Sequence, residues 1–450
     1  MIAPARLAAY RALTRIGRDH EDLATALNAE RDRLADARDR ALASDIVTGT
    51  LRWQGTIDAL IAHAADRSLD RLDADVLTIL RLSVYQLRHL TRVPASAAVD
   101  DGVSLVRTAR VRSASGFVNA VLRRVSRQRD AAVLPARPTE GASRDAQLAY
   151  LTTTLSHPRW LAERWLDRLG FARADAWMQF NNAQGPLTIR LTAAGRHDDA
   201  ATRALAAAHA RWTPASWAPH GLIIDDGPVD ALLAAGLATI QDESSQLVPL
   251  LAGTAPGGPL LDLCAAPGGK TVALADAAGP DALIVACDTR ARRMRVLART
   301  LAAAGIRSAR LVQLDATHPL PFRAAFGTVL LDAPCSGLGT VRRDPDIKWR
   351  RTEADLSRFA ARQQQMLAQA AMAVAPGGRL VYATCSTEPE ENEQVVAHFL
   401  ATHPAFRPLP AGDIPGIPPA VVDADGALRT TPDRHHLEGF YGAAVVRQQM

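Results

Sequence analysis

Residues 260–271 read Leu-Leu-Asp-Leu-Cys-Ala-Ala-Pro-Gly-Gly-Lys-Thr. The apolar stretch 260–263 predicts a buried strand, and the small residues and two glycines after it allow the backbone to approach a ligand closely. A phosphate-binding P-loop is the first alternative, because residues 269–271 match its last three positions. The first glycine of a P-loop would fall at Cys264, so that pattern is incomplete.

Apolar strands alternate with helices from about residue 241 onward. An amphipathic helix is predicted over 355–374, and Pro376-Gly377-Gly378 is expected to end it. This alternation predicts an α/β fold with a mainly parallel sheet and helices on both faces. Ligands bind such sheets at the carboxyl ends of the strands. The predicted strands are 260–263, 283–287, 309–313, 328–331 and 380–383.

Two carboxylates follow the second and third of these strands. Asp288 lies about 20 residues after Gly268, where an acidic residue typically binds the ribose hydroxyls of a nucleoside-containing cofactor. Asp315 follows the next strand, and its carboxylate is suited to accept a hydrogen bond from an adenine amino group. On these residues alone NAD is an alternative cofactor, and each aspartate is alternatively a cap for the helix after it.

Two of the four cysteines follow neighbouring strands. Cys335 comes after the fourth strand, three residues beyond Asp332, and Cys385 comes after the fifth. A single cysteine is more often a small buried hydrophobic residue, but two cysteines in equivalent loops favour a chemical role. The sequence contains no Cys-x-x-Cys pair, so a zinc site is not predicted and we expect no metal.

The charge balance is basic. The net charge is +5 and the isoelectric point about 9.3, and nearly all the positive charge is arginine because lysine occurs only at positions 270 and 348. A basic protein favours a polyanionic partner, although arginine richness also follows from a GC-rich genome. The sequence has neither an apolar stretch long enough for a membrane span nor a signal-peptide core. We therefore expect a cytoplasmic monomer without membrane contact.

The chain is predicted to contain four parts. Apolar residues at helical spacing, such as Val76, Leu80, Val84 and Leu87, make the first part all-helical, and arginines are dense near its end. Prolines and a glycine mark a linker, and a mixed α+β segment with a short alternating strand around 187–191 follows it before the α/β domain. The four parts are 1–130, 131–143, 144–240 and 241–450.

Residues 260–450 resemble the bacterial 16S ribosomal RNA cytosine-C5 methyltransferases of the Sun/Fmu type. QDESSQ (241–246) is similar to the start of their catalytic domain. Residues 1–130 resemble the NusB-type helical RNA-binding domain, through LRWQGTIDALI (51–61), YQLRHLTRVP (85–94) and GFVNAVLRRV (116–125). The stretches that carry the catalytic-domain resemblance are DLCAAPGGKT (262–271), LDAPCSGLGTVRRDPDIKW (331–349), YATCS (382–386), PEEN (389–392) and EGFYGA (438–443).

The resemblance implies a Rossmann-like S-adenosylmethionine-dependent methyltransferase sheet of seven strands, preceded by the NusB-like domain and a small α+β region. Residues 438–447 fit its last, antiparallel strand. It also implies methyl transfer from S-adenosylmethionine to C5 of a cytosine in RNA, with 16S ribosomal RNA as the substrate. A transfer-RNA or protein methyltransferase, or an RNA-binding assembly factor without activity, is the alternative.

The resemblance further implies a role for each site residue. Cys385, in a Thr-Cys motif, is the implied nucleophile, and Cys335, in a Pro-Cys motif, helps release the product. Cys287 matches no functional position and is expected to be buried. Where the family reads Arg-x-Asn, this chain has Arg190-Leu191-Thr192, which puts an RNA contact by Thr192 in doubt. The implied cofactor-binding residues are Cys264, Ala265, Ala266, Pro267, Gly268, Gly269, Lys270, Asp288, Asp315 and Asp332.

The chemistry explains why these residue types are needed. C5 of cytosine is a poor nucleophile, and addition of a thiolate to C6 activates it, which is covalent catalysis. A free thiol is largely protonated at neutral pH, and Lys270 is a candidate cation to favour the thiolate. Asp332 is expected to bind the N3 and N4 edge of the base. The base that removes the C5 proton is Cys335 or a water molecule.

A run of basic residues follows the Pro-Cys motif. We predict that this run holds RNA phosphates, with a solvated charged loop as the alternative. The basic residues are Arg342, Arg343, Lys348, Arg350 and Arg351.

Overall fold

A computed structural model describes residues 2–127, 134–253 and 258–449. The chain forms two compact units, one made of Met1–Gln184 with Val341–Thr352 and the other of Gly185–Thr340 with Glu353–Met450. The fold class is as predicted: an all-helical N-terminal region precedes an α/β domain. Part of the predicted linker, residues 131–133, lies outside the described residues. The predicted four-part division stays a prediction.

The first unit is helical, and its amphipathic pattern explains why. In α5 (Ala74–His89) the apolar positions 76, 80, 84 and 87 are buried, as their spacing predicted. The side chain of Asp73 caps this helix by accepting from the backbone N–H of Asp75 at 2.8 Å. The other helices of this unit are α1 (Pro4–Arg18), α2 (Leu23–Arg31), α3 (Ala37–Arg52), α4 (Gln54–Ala65), α6 (Ala95–Thr108), α7 (Ser115–Arg127), α8 (Arg144–Ala149), α9 (Arg159–Leu169), α10 (Phe171–Asn182) and α17 (Ile347–Arg350).

Residues 341–352 return to the helical unit and change the interpretation of the basic run. Lys348 is fully buried, and its Nζ donates to the carbonyl oxygen of Arg52 at 2.9 Å. Burial lowers the pKa of Lys348 well below its usual range. The guanidinium of Arg342 is also buried, 3.9 Å from the ring centre of Phe180. The prediction that this run holds phosphates is therefore wrong for Lys348 and Arg342.

The second unit begins with a small antiparallel sheet. Its strand order is β2-β3-β1-β4, and its apolar core includes Ile189, Leu222 and Ile224. The strand predicted at 187–191 is observed at those residues. The strands are β1 (Leu187–Leu191), β2 (Arg211–Pro214), β3 (Gly221–Asp226) and β4 (Ala238–Ile240), and the helices beside them are α11 (Ala193–Arg196), α12 (Ala200–Ala207), α13 (Asp230–Ala234) and α14 (Glu243–Leu247).

A large mixed sheet forms the centre of this unit. Its order is β10-β12-β9-β8-β5-β6-β7. The five strands from β9 to β7 are parallel, and β12 is antiparallel to β9, as the final strand was predicted to be. The sheet has eight strands rather than seven, because β11 also pairs with β12. The strands are β5 (Leu260–Asp262), β6 (Ile284–Asp288), β7 (Ala309–Gln313), β8 (Phe326–Asp332), β9 (Val374–Thr384), β10 (Phe406–Leu409), β11 (Leu428–Thr430) and β12 (Phe440–Arg447).

Helices accompany the large sheet. The long helix predicted over 355–374 is α18 (Glu353–Ala373), and it leads directly into β9, so Pro376-Gly377-Gly378 lies inside that strand. The pairing of β9 with β8 is irregular there, which accommodates these residues within the sheet. The remaining helices are α15 (Gly269–Ala278), α16 (Ala291–Ala303), α19 (Glu393–Thr402) and α20 (Pro432–His435). Within the described ranges, none of the helices has the length and apolar character that a bilayer span requires.

Candidate active site

The predicted site residues gather at one edge of the large sheet. Parallel strands end at the same edge, so the loops after β5, β6, β8 and β9 lie side by side. Asp332 ends β8 and pairs with Ala383 of β9, which places the segments that carry Cys335 and Cys385 next to each other. We call residues 333–337 and 385–388 the two cysteine loops.

The loop after β5 is tightly held. The backbone N–H of Ala265 donates to the carbonyl of Cys287 at 2.8 Å, and that of Ala266 donates to Oδ2 of Asp288 at 3.3 Å. Gly268 has φ +116° at the start of α15, and a Cβ there would lie 3.1 Å from Thr300. Glycine is therefore required by both conformation and space.

A cavity of about 480 Å³ opens beside this loop. Its walls include residues 264–267, Gly269 and Lys270, with Asp262 and Asp332. The cavity is also lined by 238–242 and by Thr340 and Phe440, none of which was predicted to bind the cofactor. Only the resemblance of QDESSQ and EGFYGA to the family pointed toward these segments.

Asp262 is the main site residue that sequence reasoning missed. It is fully buried, lines the cavity and accepts from the hydroxyl of Thr271 at 2.7 Å. Burial raises the pKa of Asp262 to about 7. Its Oδ1 is buried and has no hydrogen-bond partner among the described residues. A carboxylate inside an apolar strand, directly before a glycine-rich loop, was the available signal.

Lys270 and Asp332 form an ion pair at the cavity wall. Nζ of Lys270 lies 2.8 Å from Oδ2 of Asp332 and 5.5 Å from the ring centre of Phe440. Burial alone lowers the pKa of Lys270, but the carboxylate of Asp332 outweighs it, so the pKa is raised and the ammonium stays charged. The negative charge of a Cys385 thiolate acts in the same direction.

The two cysteines of the cysteine loops are in contact. Sγ of Cys335 lies 3.2 Å from Sγ of Cys385. The hydrogen bond to Cys385, together with burial, raises the pKa of Cys335 well above its usual range. Cys335 is therefore favoured as a thiol rather than a thiolate. Cys287 is fully buried, as expected, and burial raises its pKa to about 12.

The remaining predicted residues lie near the cavity without lining it. Asp288 is buried at the end of β6, and its Oδ2 also accepts from Nε of Arg293 at 3.0 Å. Asp315 is partly exposed, and bonds from the backbone N–H and hydroxyl of Thr317 lower its pKa. The N-cap of α16 is Arg290, so Asp288 does not cap that helix.

The segment Arg190-Leu191-Thr192, which stands where the family reads Arg-x-Asn, has a structural role. Arg190 is buried, and its Nη2 donates to Oδ2 of Asp276 at 2.8 Å. Thr192 is also buried; its hydroxyl donates to the carbonyl of Gly236 at 2.7 Å and accepts from Gly195 at 3.1 Å. Thr192 therefore caps α11 from a buried position, where RNA has no access to it.

Comparison with known proteins covers most of the chain. Residues 251–446 match the family described as 16S rRNA methyltransferase RsmB/F. Residues 3–127 match the NusB family, and residues 157–230 match the RsmF/B-like ferredoxin-like domain.

Individual relatives match over nearly their whole length. The chain is 34% identical to ribosomal RNA small subunit methyltransferase B of Pseudomonas putida, with 98% of each chain covered. It is 32% identical to the protein of that name in Pseudomonas syringae, with 98% of this chain and 96% of the relative covered. Among solved structures it is similar to PH0851, with 25% identity, a TM-score of 0.80 and 99% of each chain covered.

Proposed function

Because the chain belongs to the RsmB/F family of S-adenosylmethionine-dependent ribosomal RNA methyltransferases, we propose that it methylates C5 of a cytosine in small-subunit ribosomal RNA through a covalent Cys385–C6 adduct. The observation that carries the proposal is the contact between Cys335 and Cys385 beside the Lys270–Asp332 ion pair. The chain's matches to relatives named for ribosomal RNA support ribosomal RNA as the substrate. Its match to the NusB family supports RNA binding by the helical unit.

The cavity residues fit the proposed cofactor. S-adenosylmethionine supplies an electrophilic methyl group when it is bound. The free Oδ1 of Asp262 suits the cofactor's ammonium group, and the glycine-containing loop brings backbone close to the cavity. Asp288, which holds the backbone of Ala266, supports the predicted ribose site. Asp315 is the weaker candidate, since its carboxylate is partly exposed and bonded to Thr317.

The first chemical step uses Cys385. Its thiolate forms a bond from Sγ to C6 of the cytosine, and the electron pair of the C5–C6 double bond moves toward N3. Lys270 stabilises the thiolate before attack, and Asp332 binds the N4 amino group as charge develops on the ring. C5 then has the electron density to form its bond to the methyl carbon, and the bond from that carbon to the donor sulfur would break, with its electron pair left on the sulfur as a neutral thioether.

The second step uses Cys335. Before attack, its hydrogen bond to Cys385 and the negative charge of Cys385 keep the pKa of Cys335 high. Once Sγ of Cys385 is bonded to C6, both of these causes are gone. Cys335 then releases its proton to solvent and removes the proton from C5. The C5–H electrons re-form the C5–C6 double bond as the Cys385–C6 bond breaks.

The test is methylation of defined RNA by the purified protein, followed by nucleoside mass spectrometry. We expect 5-methylcytidine in small-subunit ribosomal RNA and none when Cys385 is replaced by alanine. A methyl group on any other nucleoside contradicts the cytosine-C5 assignment. Methylation of transfer RNA alone contradicts the substrate assignment and leaves the chemistry intact.

A further inference from the structure

The PEEN segment (389–392) has no role in the chemistry above, yet its Glu391 and Asn392 are fully buried and bond to the two cysteine loops. Glu391 is fully buried. Its Oε1 accepts from the backbone N–H of Ser336 at 2.7 Å, and its Oε2 accepts from the hydroxyls of Ser336 and Ser386, each at 2.5 Å. Gln363 of α18 donates to Oε1 at 3.1 Å. One carboxylate therefore receives four hydrogen bonds.

These bonds join the residues that directly follow the two cysteines. Ser336 follows Cys335, and Ser386 follows Cys385. The two serine hydroxyl oxygens are 3.1 Å apart, which closely matches the 3.2 Å between the thiols. A carboxylate that binds both serines fixes the spacing of the cysteine loops at the position next to the reacting sulfurs.

The neighbouring asparagine completes this attachment. Nδ2 of Asn392 donates to the carbonyl of Ser386 at 3.0 Å, and its Oδ1 accepts from the hydroxyl of Thr384 at 2.6 Å. The hydroxyl of Tyr382 donates to the backbone carbonyl of Glu391 at 2.6 Å. The segment is thus held to β9 on both sides of Cys385, so its position is set by the sheet.

The charge of Glu391 also affects the pKa of Cys335. Burial raises its pKa, and the bonds from Ser336, Ser386 and Gln363 act against that shift. The form that accepts from all these donors is the carboxylate. That negative charge contributes to the raised pKa of Cys335. Tyr382 also interacts with Cys335, and Lys270, which is paired with Asp332, interacts with Cys385.

We propose that Glu391 is a positioning residue that fixes the distance between the two cysteine loops through its bonds to Ser336 and Ser386. Its effect on turnover rests on the proposed function, whereas its effect on the thiols is independent of it. Glu391 is fully buried and bonds to the residues after the cysteines, so it acts through the cysteines without touching the substrate.

The test combines turnover with thiol reactivity in the full-length protein. Cysteine alkylation by iodoacetamide is followed across pH by peptide mass spectrometry, without RNA. For Glu391→Gln we expect alkylation of Cys335 to begin at lower pH, because a negative charge beside it is gone. We also expect kcat to fall by about 10- to 100-fold, as a small displacement of reacting groups does, with KM for S-adenosylmethionine little changed.

The matched control is Glu393→Gln, the same change two residues along the chain. Glu393 pairs with Arg429 at 2.7 Å, and its side chain is partly exposed. The Glu393→Gln variant should have the same alkylation profile and the same kcat as the parent protein. A shift of equal size in this control would overturn the assignment to Glu391.

Thermal melting shows whether Glu391→Gln folds. If it does not fold, a second variant tests the proposal. Ser386→Ala removes one of the four bonds and keeps the carboxylate, so kcat should fall less and the pH profile of Cys335 should stay in place. Unchanged kcat and alkylation in a folded Glu391→Gln, or unchanged kcat in Ser386→Ala, overturns the proposal. A shifted Cys335 profile in a protein that makes no 5-methylcytidine retains the positioning role and refutes the proposed function.

Discussion

Sγ of Cys335 lies 3.2 Å from Sγ of Cys385, although the two residues are 50 positions apart in the chain. Parallel pairing of β8 with β9 brings them together, and Glu391 bonds to the residue after each. The pKa of Cys335 is raised mainly by its hydrogen bond to Cys385. Cys335 is therefore favoured as a thiol before any substrate binds.

Lys270→Met should lower kcat by about 100-fold or more, since an electrostatic group at the reacting centre is removed. It also leaves the partly buried carboxylate of Asp332 without its ion-pair partner. Alkylation of Cys385 at a fixed neutral pH should slow as well, because the cation that attracts its thiolate is gone. Single-turnover kinetics and peptide mass spectrometry measure the two effects. Parent-like values for both would remove Lys270 from the catalytic residues.

Asp262 should make cofactor binding depend on pH. Its pKa is raised to about 7 by burial, so its ionised fraction increases as pH rises through 7. A carboxylate that binds an ammonium group must be ionised, and affinity for S-adenosylmethionine should therefore rise with pH and weaken by up to about tenfold per pH unit below 7. Calorimetry across this range should show proton release on binding. Asp262→Asn should abolish both the release and the pH dependence; a parent-like dependence in that variant argues against the role.

Asp288→Ala should weaken S-adenosylmethionine binding by about 1 to 3 kcal/mol, because a charge-assisted hydrogen bond is lost. It also deprives the N–H of Ala266 of its acceptor. Asp315→Ala is the comparison, and it should weaken S-adenosylmethionine binding less, because the carboxylate of Asp315 is partly exposed. Titration calorimetry measures the affinity of both variants for S-adenosylmethionine. Equal affinity for the parent protein and Asp288→Ala would exclude Asp288 from the cofactor site.

RNA binding should weaken steeply with salt through release of counterions. Arg107, Arg123 and Arg127 are exposed in the helical unit. Each substitution to glutamine that removes a phosphate contact should reduce the slope of log affinity against log salt by about 0.9. Arg211→Gln, an exposed arginine of the small sheet, is the control. An unchanged slope in the triple variant would mean that these arginines do not contact RNA phosphates.

Local pattern predicted much of the catalytic edge. Strands 187–191 and 309–313 were predicted and are observed at those residues. Adjacency of the cysteine loops also followed from strand order. The distance between the sulfurs did not, since it depends on pairing register and on Glu391, which is remote from Cys335 in the chain.

Burial of charged residues was the main limit of sequence reasoning. Lys348 lies in a basic run typical of a surface loop, yet it is buried, and its Nζ donates to the carbonyl of Arg52, almost 300 positions away. Asp262 was read as part of a strand, and its unpartnered oxygen toward the cavity follows only from packing. Both cases depend on tertiary packing, which no local pattern specifies.

The most direct test of the account separates the two cysteines on a denaturing gel with labelled RNA and S-adenosylmethionine. Cys335→Ala should still attack C6 and transfer the methyl group but release product slowly, so a covalent protein–RNA band should accumulate. Cys385→Ala and the double variant should give no such band and no 5-methylcytidine. A trapped band with Cys385→Ala would exchange the two roles, and full turnover by both single variants would contradict the covalent mechanism.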